Sequence, residues 1–213
     1  MNISYTISVY NETNEIQKLL SFLSKSIDNN DEIILLHTYR DHQEQYEEWF
    51  INIKNLCQKY CHIYENFHFE NNFAVMKNTL NSFATKEFII NLDADEIITP
   101  DTLSLWKQII KINNNDLFLV PRINIVSNYT INDIKKYNWS INNQGWINWP
   151  DYQPRIYKNF CDIKWQGSVH EQLANYKNAI ALLPDPKLAI IHDKSIEKQR
   201  QQNTLYNSIT KEA

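Results

Sequence analysis

The sequence predicts an α/β fold with a mostly parallel central sheet and helices on both of its faces. Three observations support this prediction: an apolar run over residues 88–92, apolar stripes at helical spacing, and the alternation of these two patterns in the first half of the chain. A strand that is buried on both faces is apolar throughout, whereas a helix that packs on a sheet repeats its apolar residues every three or four positions. Their alternation is typical of right-handed βαβ units.

The first elements are a strand, a helix and a second strand. Residues 3–10 are rich in β-branched and aromatic side chains, which favour a strand. The next segment predicts a helix, because its apolar residues form one stripe: Ile16, Leu19, Leu20, Leu23 and Ile27. The Asp-Asn-Asn sequence at 28–30 ends this pattern, and residues 33–37 predict a second buried strand.

A long helix, a short strand and a further helix complete the alternation. Asp41 and Glu44 have the spacing of a capping box, so they predict the start of a long helix whose apolar side includes Trp49. Residues 63–64 predict a short third strand. Residues 73–84 predict a helix that leads into the apolar run.

The elements after the apolar run are less regular. Pro100 predicts the first position of a helix, where proline is favoured. Residues 117–126 predict a strand, and Pro121 within it favours a sheet edge or a bend. A last strand is predicted over 188–191, ending at His192 and followed by a polar helix.

Length and composition limit the classes of protein. With 213 residues, of which 43% are hydrophobic, we expect a single domain over residues 1–213. The net charge of −4 and the lack of like-charge blocks argue against a nucleic-acid-binding surface. No apolar stretch is long enough for a transmembrane helix, and residues 1–10 lack the regions of a signal peptide, so we expect a cytoplasmic protein with at most peripheral membrane contact. The presence of only two glycines excludes glycine-rich phosphate loops.

The cysteines do not suggest a disulfide framework. Their number is three, Cys57, Cys61 and Cys161, and none is expected to pair in a reducing compartment. Cys57 and Cys61, with His62, could share a helical face as a metal site. Core packing is the commoner role of a free cysteine.

Carboxylates follow the apolar run directly. Asp93, Asp95 and Glu96 come at its end, and ligands of open α/β sheets bind outside the carboxyl ends of the strands. Hard divalent cations prefer oxygen ligands of this kind. The position therefore suggests metal-assisted chemistry on a nucleotide.

Five short motifs resemble, in their order and spacing, those of the family 2 glycosyltransferases of GT-A fold, and in particular the branch of lipopolysaccharide core glucosyltransferases. They extend over nearly the whole chain: Ser8-Val9-Tyr10-Asn11-Glu12, Asp31-Glu32-Ile33-Ile34, Leu92-Asp93-Ala94-Asp95-Glu96, Pro150-Asp151-Tyr152-Gln153-Pro154-Arg155 and Gly167-Ser168-Val169-His170-Glu171. The Asp-x-Asp motif alone is short and frequent by chance. The set of five in the correct order is specific.

The resemblance implies an inverting transfer of a sugar from a nucleotide diphosphate donor, expected to be a UDP-sugar, to a glycan or glycolipid hydroxyl. It also implies a divalent cation, Mn²⁺ or Mg²⁺, which acts as a Lewis acid on the leaving diphosphate. Asp95 is the expected metal ligand, with Asp93 beside it in contact with metal or ribose. His192 is expected as an imidazole ligand, and His170 competes with it for the metal, the diphosphate or the acceptor.

The resemblance also assigns the general base and the nucleotide contacts. A carboxylate near the start of a late helix usually serves as base in the family, and Glu171 holds that position, with Asp151 in reserve. An acid in a first helical turn is also favoured by the helix dipole alone. The family has an acidic residue before Gly and Ser where this chain has His37-Thr38, and Asp41 could substitute. The positions implied to contact the nucleotide are Tyr10, Asn11, Glu12, Asp41, Lys77, Asp93 and Ala94.

Two other functions would use some of the same residues. A noncatalytic carbohydrate-binding protein on the same scaffold would use the tryptophan-rich segment 137–165, because tryptophan stacks on the apolar face of a sugar. Binding alone would not require both Asp95 and Glu171. A sugar nucleotidyltransferase also uses paired carboxylates and magnesium, but it usually needs a phosphate-gripping loop where this chain has Asn11-Glu12-Thr13.

Overall fold

The structure is a computed structural model that describes residues 1–160 and 162–212; Cys161 lies outside the described residues. Within these ranges the α-helices are α1 (Thr13–Ser26), α2 (Glu48–Tyr60), α3 (Phe73–Ser82), α4 (Pro100–Ile112), α5 (Ile131–Tyr137) and α6 (Ile196–Glu212). The strands are β1 (Ile3–Val9), β2 (Glu32–Tyr39), β3 (Ile63–His68), β4 (Phe88–Asp93), β5 (Glu96–Ile97), β6 (Leu117–Ser127), β7 (Ile147–Lys158), β8 (Lys164–Gln166), β9 (Gln172–Ala174), β10 (Ala179–Ala181) and β11 (Ile190–Ser195). Short 3-10 helices occupy His42–Tyr46 and Pro186–Leu188.

The central sheet has the order β3-β2-β1-β4-β7-β6-β11-β5, and β10 pairs with β6. Strands β3, β2, β1 and β4 are parallel, β7 runs antiparallel to both β4 and β6, and β6 is parallel to β11. The carboxyl ends of β1, β2, β4, β6 and β11 therefore meet at one edge of the sheet, which we call the carboxyl edge. The predicted α/β fold with a mostly parallel sheet is confirmed.

Helices cover both faces of this sheet, which explains the lack of alternation in its strands. Ile33 and Leu35 of β2 pack in the core that includes α1, α2 and α4. Ile34 and Leu36 pack on the opposite face, in the cluster that includes α3 and Ile209 of α6. Because both sets of alternate residues are buried, the four central positions of the strand are all apolar.

Strand β6 lies inside the sheet, so of the two alternatives predicted from Pro121 the sheet edge is wrong, whereas the pairing of β6 with β7 is irregular between Arg122 and Asn124, beside Pro121. Its neighbours are β7 on one side and β10 and β11 on the other. Strand β10 pairs with β6 as far as Leu119, and β11 begins to pair at Arg122. Pro121 falls in the gap between these two short partners, where no ladder hydrogen bond is required on that side.

The long helix predicted from Asp41 is divided in two. Asp41 caps the 3-10 helix by accepting a hydrogen bond from the backbone N–H of Gln43 at 2.9 Å. Glu44 does not complete a capping box, because its carboxylate accepts from the hydroxyl of Tyr10 and the N–H of Arg40. Helix α2 begins only at Glu48, and Cys57 on its inner side is buried in the core.

Two further differences concern the second half of the chain. The tryptophan-rich segment contains the 12-residue strand β7, which the sequence did not predict. Strand β11 covers Ile190–Ser195, later than the predicted 188–191, so His192 lies within the strand and not after it. Both differences bring polar side chains onto strands at the carboxyl edge.

Candidate active site

The site opens where β4 and β7 separate. These strands pair only over Phe88–Ile90 and Ile156–Lys158, so the end of β4 has no ladder partner on that side. The side chain of Arg155 lies in this opening and is 2% exposed as a residue. Its guanidinium donates to Asp93, to Glu96 Oε1 at 2.5 Å and to Asn91 Oδ1 at 3.4 Å.

The three carboxylates that follow β4 have different surroundings. Glu96 has a fully buried side chain between Arg155 and Arg122, and its Oε2 accepts from the N–H of Asp93 at 3.1 Å. It therefore holds the turn that presents the two aspartates. Burial opposes the ionisation of Asp93, but the charges of Arg155 and Lys77 lower its pKa to about 2.

Asp95 faces His192, as the resemblance implied for two metal-site residues. The distance from Asp95 Oδ2 to His192 Nε2 is 3.4 Å, and Lys198 Nζ lies 3.1 Å from the same oxygen. Burial raises the pKa of Asp95, but the neighbouring His192 and Lys198 hold it well below its ordinary value.

A chain of hydrogen bonds fixes the orientation of the His192 ring. Asn124 must direct its amide nitrogen to the carboxylate of Asp151, at 2.8 Å, so its oxygen faces His192 Nδ1 at 3.0 Å and accepts from it. In the neutral ring this leaves a lone pair on Nε2, aimed at Asp95. Two facing acceptors need a proton or a cation between them.

This donor set fits a divalent cation. An imidazole nitrogen held by a hydrogen bond on its other side, together with a carboxylate oxygen, is a combination that manganese accepts. Over the described residues no three His, Cys, Asp or Glu groups come together as a complete metal cage, and Asp93 is turned to Arg155. The protein would thus supply few ligands, which is usual where substrate phosphates and water complete the coordination of Mg²⁺.

Asp151, the reserve candidate for the base, is surrounded by donors. Its Oδ2 accepts from two nitrogens of Arg122 at 2.7 and 2.9 Å and from Asn124, and its Oδ1 accepts from Gln153 at 2.9 Å. Burial opposes ionisation, but the Arg122 charge and these bonds lower the pKa of Asp151 below its ordinary value. The carboxylate therefore has little freedom to accept a proton from a substrate.

Glu171, the first candidate for the base, contacts Lys77 on helix α3. Glu171 Oε1 lies 2.6 Å from Lys77 Nζ, and the Lys77 ammonium stands over the Trp165 ring, 4.3 Å from its centroid. Asn78 fixes Trp165 by exchanging two 2.9 Å hydrogen bonds with its backbone. The Lys77-Asn78 pair thus places the β8–β9 hairpin, and with it Glu171, beside the site.

The predicted late helix at Glu171 is not present. Glu171 directly precedes β9, in a turn where Gly167 and His170 both have positive φ. The helix-dipole alternative for this residue is therefore wrong. His170 is exposed, with its ring 5.5 Å from that of Tyr206, whereas His192 is the histidine beside Asp95.

Some of the residues expected at the nucleotide form a group around Tyr10 at the carboxyl edge. The Tyr10 hydroxyl donates to Glu44 at 2.6 Å, and the Arg40 guanidinium lies over the Tyr10 ring, 4.9 Å from its centroid. Glu12 accepts from the N–H of Tyr10 at 3.0 Å, and the partly buried Trp49 packs edge-on against the Tyr10 ring. Other predicted positions lie at the surface or between the aspartates: Asn11 and Asp41 are exposed, and Ala94 is buried.

His37 is fully buried below this group. Its ring stacks on Phe50, Nε2 donates to the carbonyl of Tyr10 at 3.1 Å, and Nδ1 accepts from the Tyr64 hydroxyl at 2.9 Å. Burial lowers the pKa of His37 to about 4, although the bond to Tyr10 opposes this. The His37 side chain supports the end of β1 and is not accessible to the base of a bound nucleotide.

We expect acid to destabilise the protein through His37. The folded-state pKa lies below the unfolded value, so the unfolded chain binds more protons between these values and stability is lost as pH falls from about 6.5 towards 4. The His37 contribution between pH 7.5 and 5 should be about 2 kcal/mol. Urea unfolding of the wild type and of His37→Gln measures it: the variant should lose less stability over this range, and equal losses in both proteins would contradict the prediction.

Several residues of the site were not predicted from the sequence. Arg155 ends the fourth of the five motifs, but the motif implies no role for it, and Arg122, Asn124, Lys194 and Lys198 belong to no motif. Lys194 Nζ donates to Gln202, and burial lowers its pKa to about 8 although the charge of Asp95 opposes this. These residues come from β6, β7, β11 and α6, which become neighbours only when the sheet forms.

The comparisons with known proteins bear on the family and the fold. The model of the family described as "Glycosyl transferase family 2" matches residues 4–172. The structure of residues 1–349 of S. aureus TarS has a TM-score of 0.61 with 15% identity, covering 91% of this chain and 60% of the TarS chain. The same TarS fragment with UDP-GlcNAc gives the same score and identity, with 59% of that chain covered. A third structure of it, with UDP, covers 98% of this chain and 65% of the TarS chain.

These likenesses show the fold, and the chain spans about 60% of the length of the TarS fragment. No curated protein sequence matches this chain. In the described residues, every helix is too short or too polar to span a bilayer.

Proposed function

The chain belongs to glycosyl transferase family 2, and from this premise we propose that it transfers a sugar from a nucleotide diphosphate donor to a hydroxyl of a glycan or glycolipid, with inversion. The observation that carries the proposal is the meeting of Asp95 and His192, 3.4 Å apart, at the carboxyl edge beside Asp93. A UDP-sugar is the proposed donor, in line with the TarS fragment solved with UDP-GlcNAc. The single domain over 1–213 and the cytoplasmic location stay predictions.

The donor would lie along the carboxyl edge. Tyr10, packed between Arg40 and Trp49, is proposed to meet the nucleoside, and the diphosphate would extend towards Asp93 and Asp95. If Mn²⁺ or Mg²⁺ is bound, Asp95 and His192 would hold it, and it would supply Lewis-acid stabilisation of the leaving nucleoside diphosphate. Asp93, already paired with Arg155, is proposed to contact ribose or metal.

Glu171 is proposed to accept the proton of the acceptor hydroxyl as the oxygen attacks the anomeric carbon. The reaction forms the new glycosidic bond and breaks the bond from the sugar to the diphosphate, which leaves with the electron pair. Lys77 orients the carboxylate through the 2.6 Å contact. Asp151 is a weaker candidate, because Arg122, Asn124 and Gln153 already donate to it.

Two tryptophans near the carboxyl edge support a sugar as the acceptor. Trp146 and Trp149 form an edge-to-face pair with centroids 5.1 Å apart, and both rings are partly exposed. Asn142 holds the loop in place by accepting from the N–H of Trp146 at 2.9 Å. Trp149 lies two residues before Asp151 on β7, so the pair flanks the site and offers apolar rings to a pyranose face.

We expect Asp95→Ala to remove the metal dependence of UDP binding. Calorimetry with Mn²⁺ present should show UDP affinity lower by about tenfold or more, because the cation loses its carboxylate ligand. Asp101→Ala, an exposed acid in the first turn of α4, is the matched control and should bind as the wild type does. Equal UDP affinity in both variants would contradict the assignment of Asp95.

The same measurement separates the proposed function from its alternatives. A carbohydrate-binding protein should bind glycan without metal and should not bind UDP, and a nucleotidyltransferase should prefer a nucleoside triphosphate. Failure of UDP to bind the wild type with Mn²⁺ or Mg²⁺ would overturn the proposed function. If UDP binds, screening nucleotide sugars for metal-dependent donor hydrolysis will identify the sugar donor.

A further inference from the structure

A lysine from the C-terminal helix lies at the carboxylate that we assign to the metal. Helix α6 starts at Ile196, immediately after β11, and its first turn carries Lys198 to the carboxyl edge. Lys198 Nζ is 3.1 Å from Asp95 Oδ2, 3.7 Å from Glu12 Oε1 and 3.9 Å from Glu15 Oε1. Its side chain is 33% exposed, so the ammonium stands between the carboxylates and open solvent.

The ammonium contacts the same oxygen that faces His192. Asp95 Oδ2 is 3.4 Å from His192 Nε2, so a divalent cation bridging these atoms would approach within the range of the Lys198 charge. Two cations repel at such distances, and the metal must therefore displace or push back the ammonium. In the free protein, the Lys198 ammonium already neutralises the charge of the Asp95 carboxylate.

A diphosphate would change this competition. It brings negative charge to the carboxyl edge and offers the ammonium new oxygen acceptors. The lysine side chain has a flexible four-carbon stem, so Nζ can move without any change in helix α6. The carboxylates Glu12 and Glu15 also attract it away from Asp95, on the side of helix α1.

We propose that Lys198 is an internal counter-ion that competes with the divalent cation for Asp95 and binds the diphosphate once it is displaced. The inference rests on the proposed function. It makes metal binding weak in the free protein and stronger when the nucleotide is present. The free enzyme would consequently take up metal and nucleotide together.

The test uses Lys198→Met in two binding measurements. Without nucleotide, Mn²⁺ affinity followed by electron paramagnetic resonance should rise about fivefold, since one competing ion pair is lost. With saturating Mn²⁺, UDP affinity measured by calorimetry should fall about tenfold, since the charged hydrogen bond from the displaced ammonium is lost. A residue with a merely structural role would not shift these two affinities in opposite directions.

Matched variants control for charge and folding. Lys111→Met, an exposed lysine in the last turn of α4, makes the same charge change and should leave both affinities within about twofold of the wild type. Lys198→Arg should keep the wild-type affinities for Mn²⁺ and UDP. If thermal unfolding shows that Lys198→Met does not fold, Lys198→Gln is used in its place. An unchanged or lower Mn²⁺ affinity in Lys198→Met, or an unchanged UDP affinity, overturns the inference. Failure of the wild type to bind UDP even with Mn²⁺ overturns the proposed function instead.

Discussion

Replacing Glu171 by glutamine is expected to lower the turnover of sugar transfer by about 10²- to 10⁴-fold, the usual contribution of a positioned general base. Glutamine keeps the size of the side chain and an oxygen for the Lys77 ammonium, so the turn before β9 should retain its shape. The amide cannot accept the proton of the acceptor hydroxyl. UDP affinity with metal should remain within about twofold of the wild type, because only the chemical step is affected.

The measurement is steady-state transfer with the donor identified by the hydrolysis screen. Glu87→Gln is the matched control, since Glu87 is an exposed acid just before β4, at the end of the strand away from the site. It should leave turnover unchanged. Intact turnover in Glu171→Gln would move the role of base to Asp151, and Asp151→Asn would then have to show the loss.

The parts of the fold that were predictable are those where burial leaves a local signature. The run at 88–92 was predicted to be a strand buried on both faces, and in the structure Phe88, Ile90 and Leu92 pack in one core cluster and Ile89 in another. Asp95 and His192 were expected together only because the resemblance links the end of β4 to the last strand. No local pattern states that these segments are neighbours.

Strand β7 shows why the remainder could not be predicted. Its prolines, Pro150 and Pro154, argue against a central strand, yet β7 lies between β4 and β6. Pairing with β4 begins only at Ile156, so in the described residues the stretch that holds both prolines pairs with β6 alone. The same separation admits Arg155 to the carboxylates. The proline-containing stretch of β7, which prevented the prediction of the strand, is thus also the stretch that separates from β4 at the site.

Arg155→Leu is expected to destabilise the fold by about 3–5 kcal/mol, the usual cost of removing one partner from a buried ion pair. Among the described residues, the substitution leaves the fully buried side chain of Glu96 with one cationic contact, to Arg122 at 3.4 Å, and it removes the Arg155 donor from Asn91 and Asp93. Urea unfolding at neutral pH measures the loss. Arg155→Lys should also destabilise, because a single ammonium cannot reproduce the planar fork that reaches three side chains.

The comparison with Arg200 isolates the effect of burial. Arg200 also donates to an aspartate, Asp133, at 2.8 and 2.9 Å, but its side chain is 48% exposed, so Arg200→Leu should cost much less than Arg155→Leu. A double variant, Arg155→Leu with Glu96→Leu, should recover part of the stability, because it removes the uncompensated charge. A loss below about 1 kcal/mol in Arg155→Leu would contradict the view that this arginine neutralises the carboxylates at the end of β4. In that case the aspartates would have to be held by the Glu96 turn alone, through its bond to the N–H of Asp93.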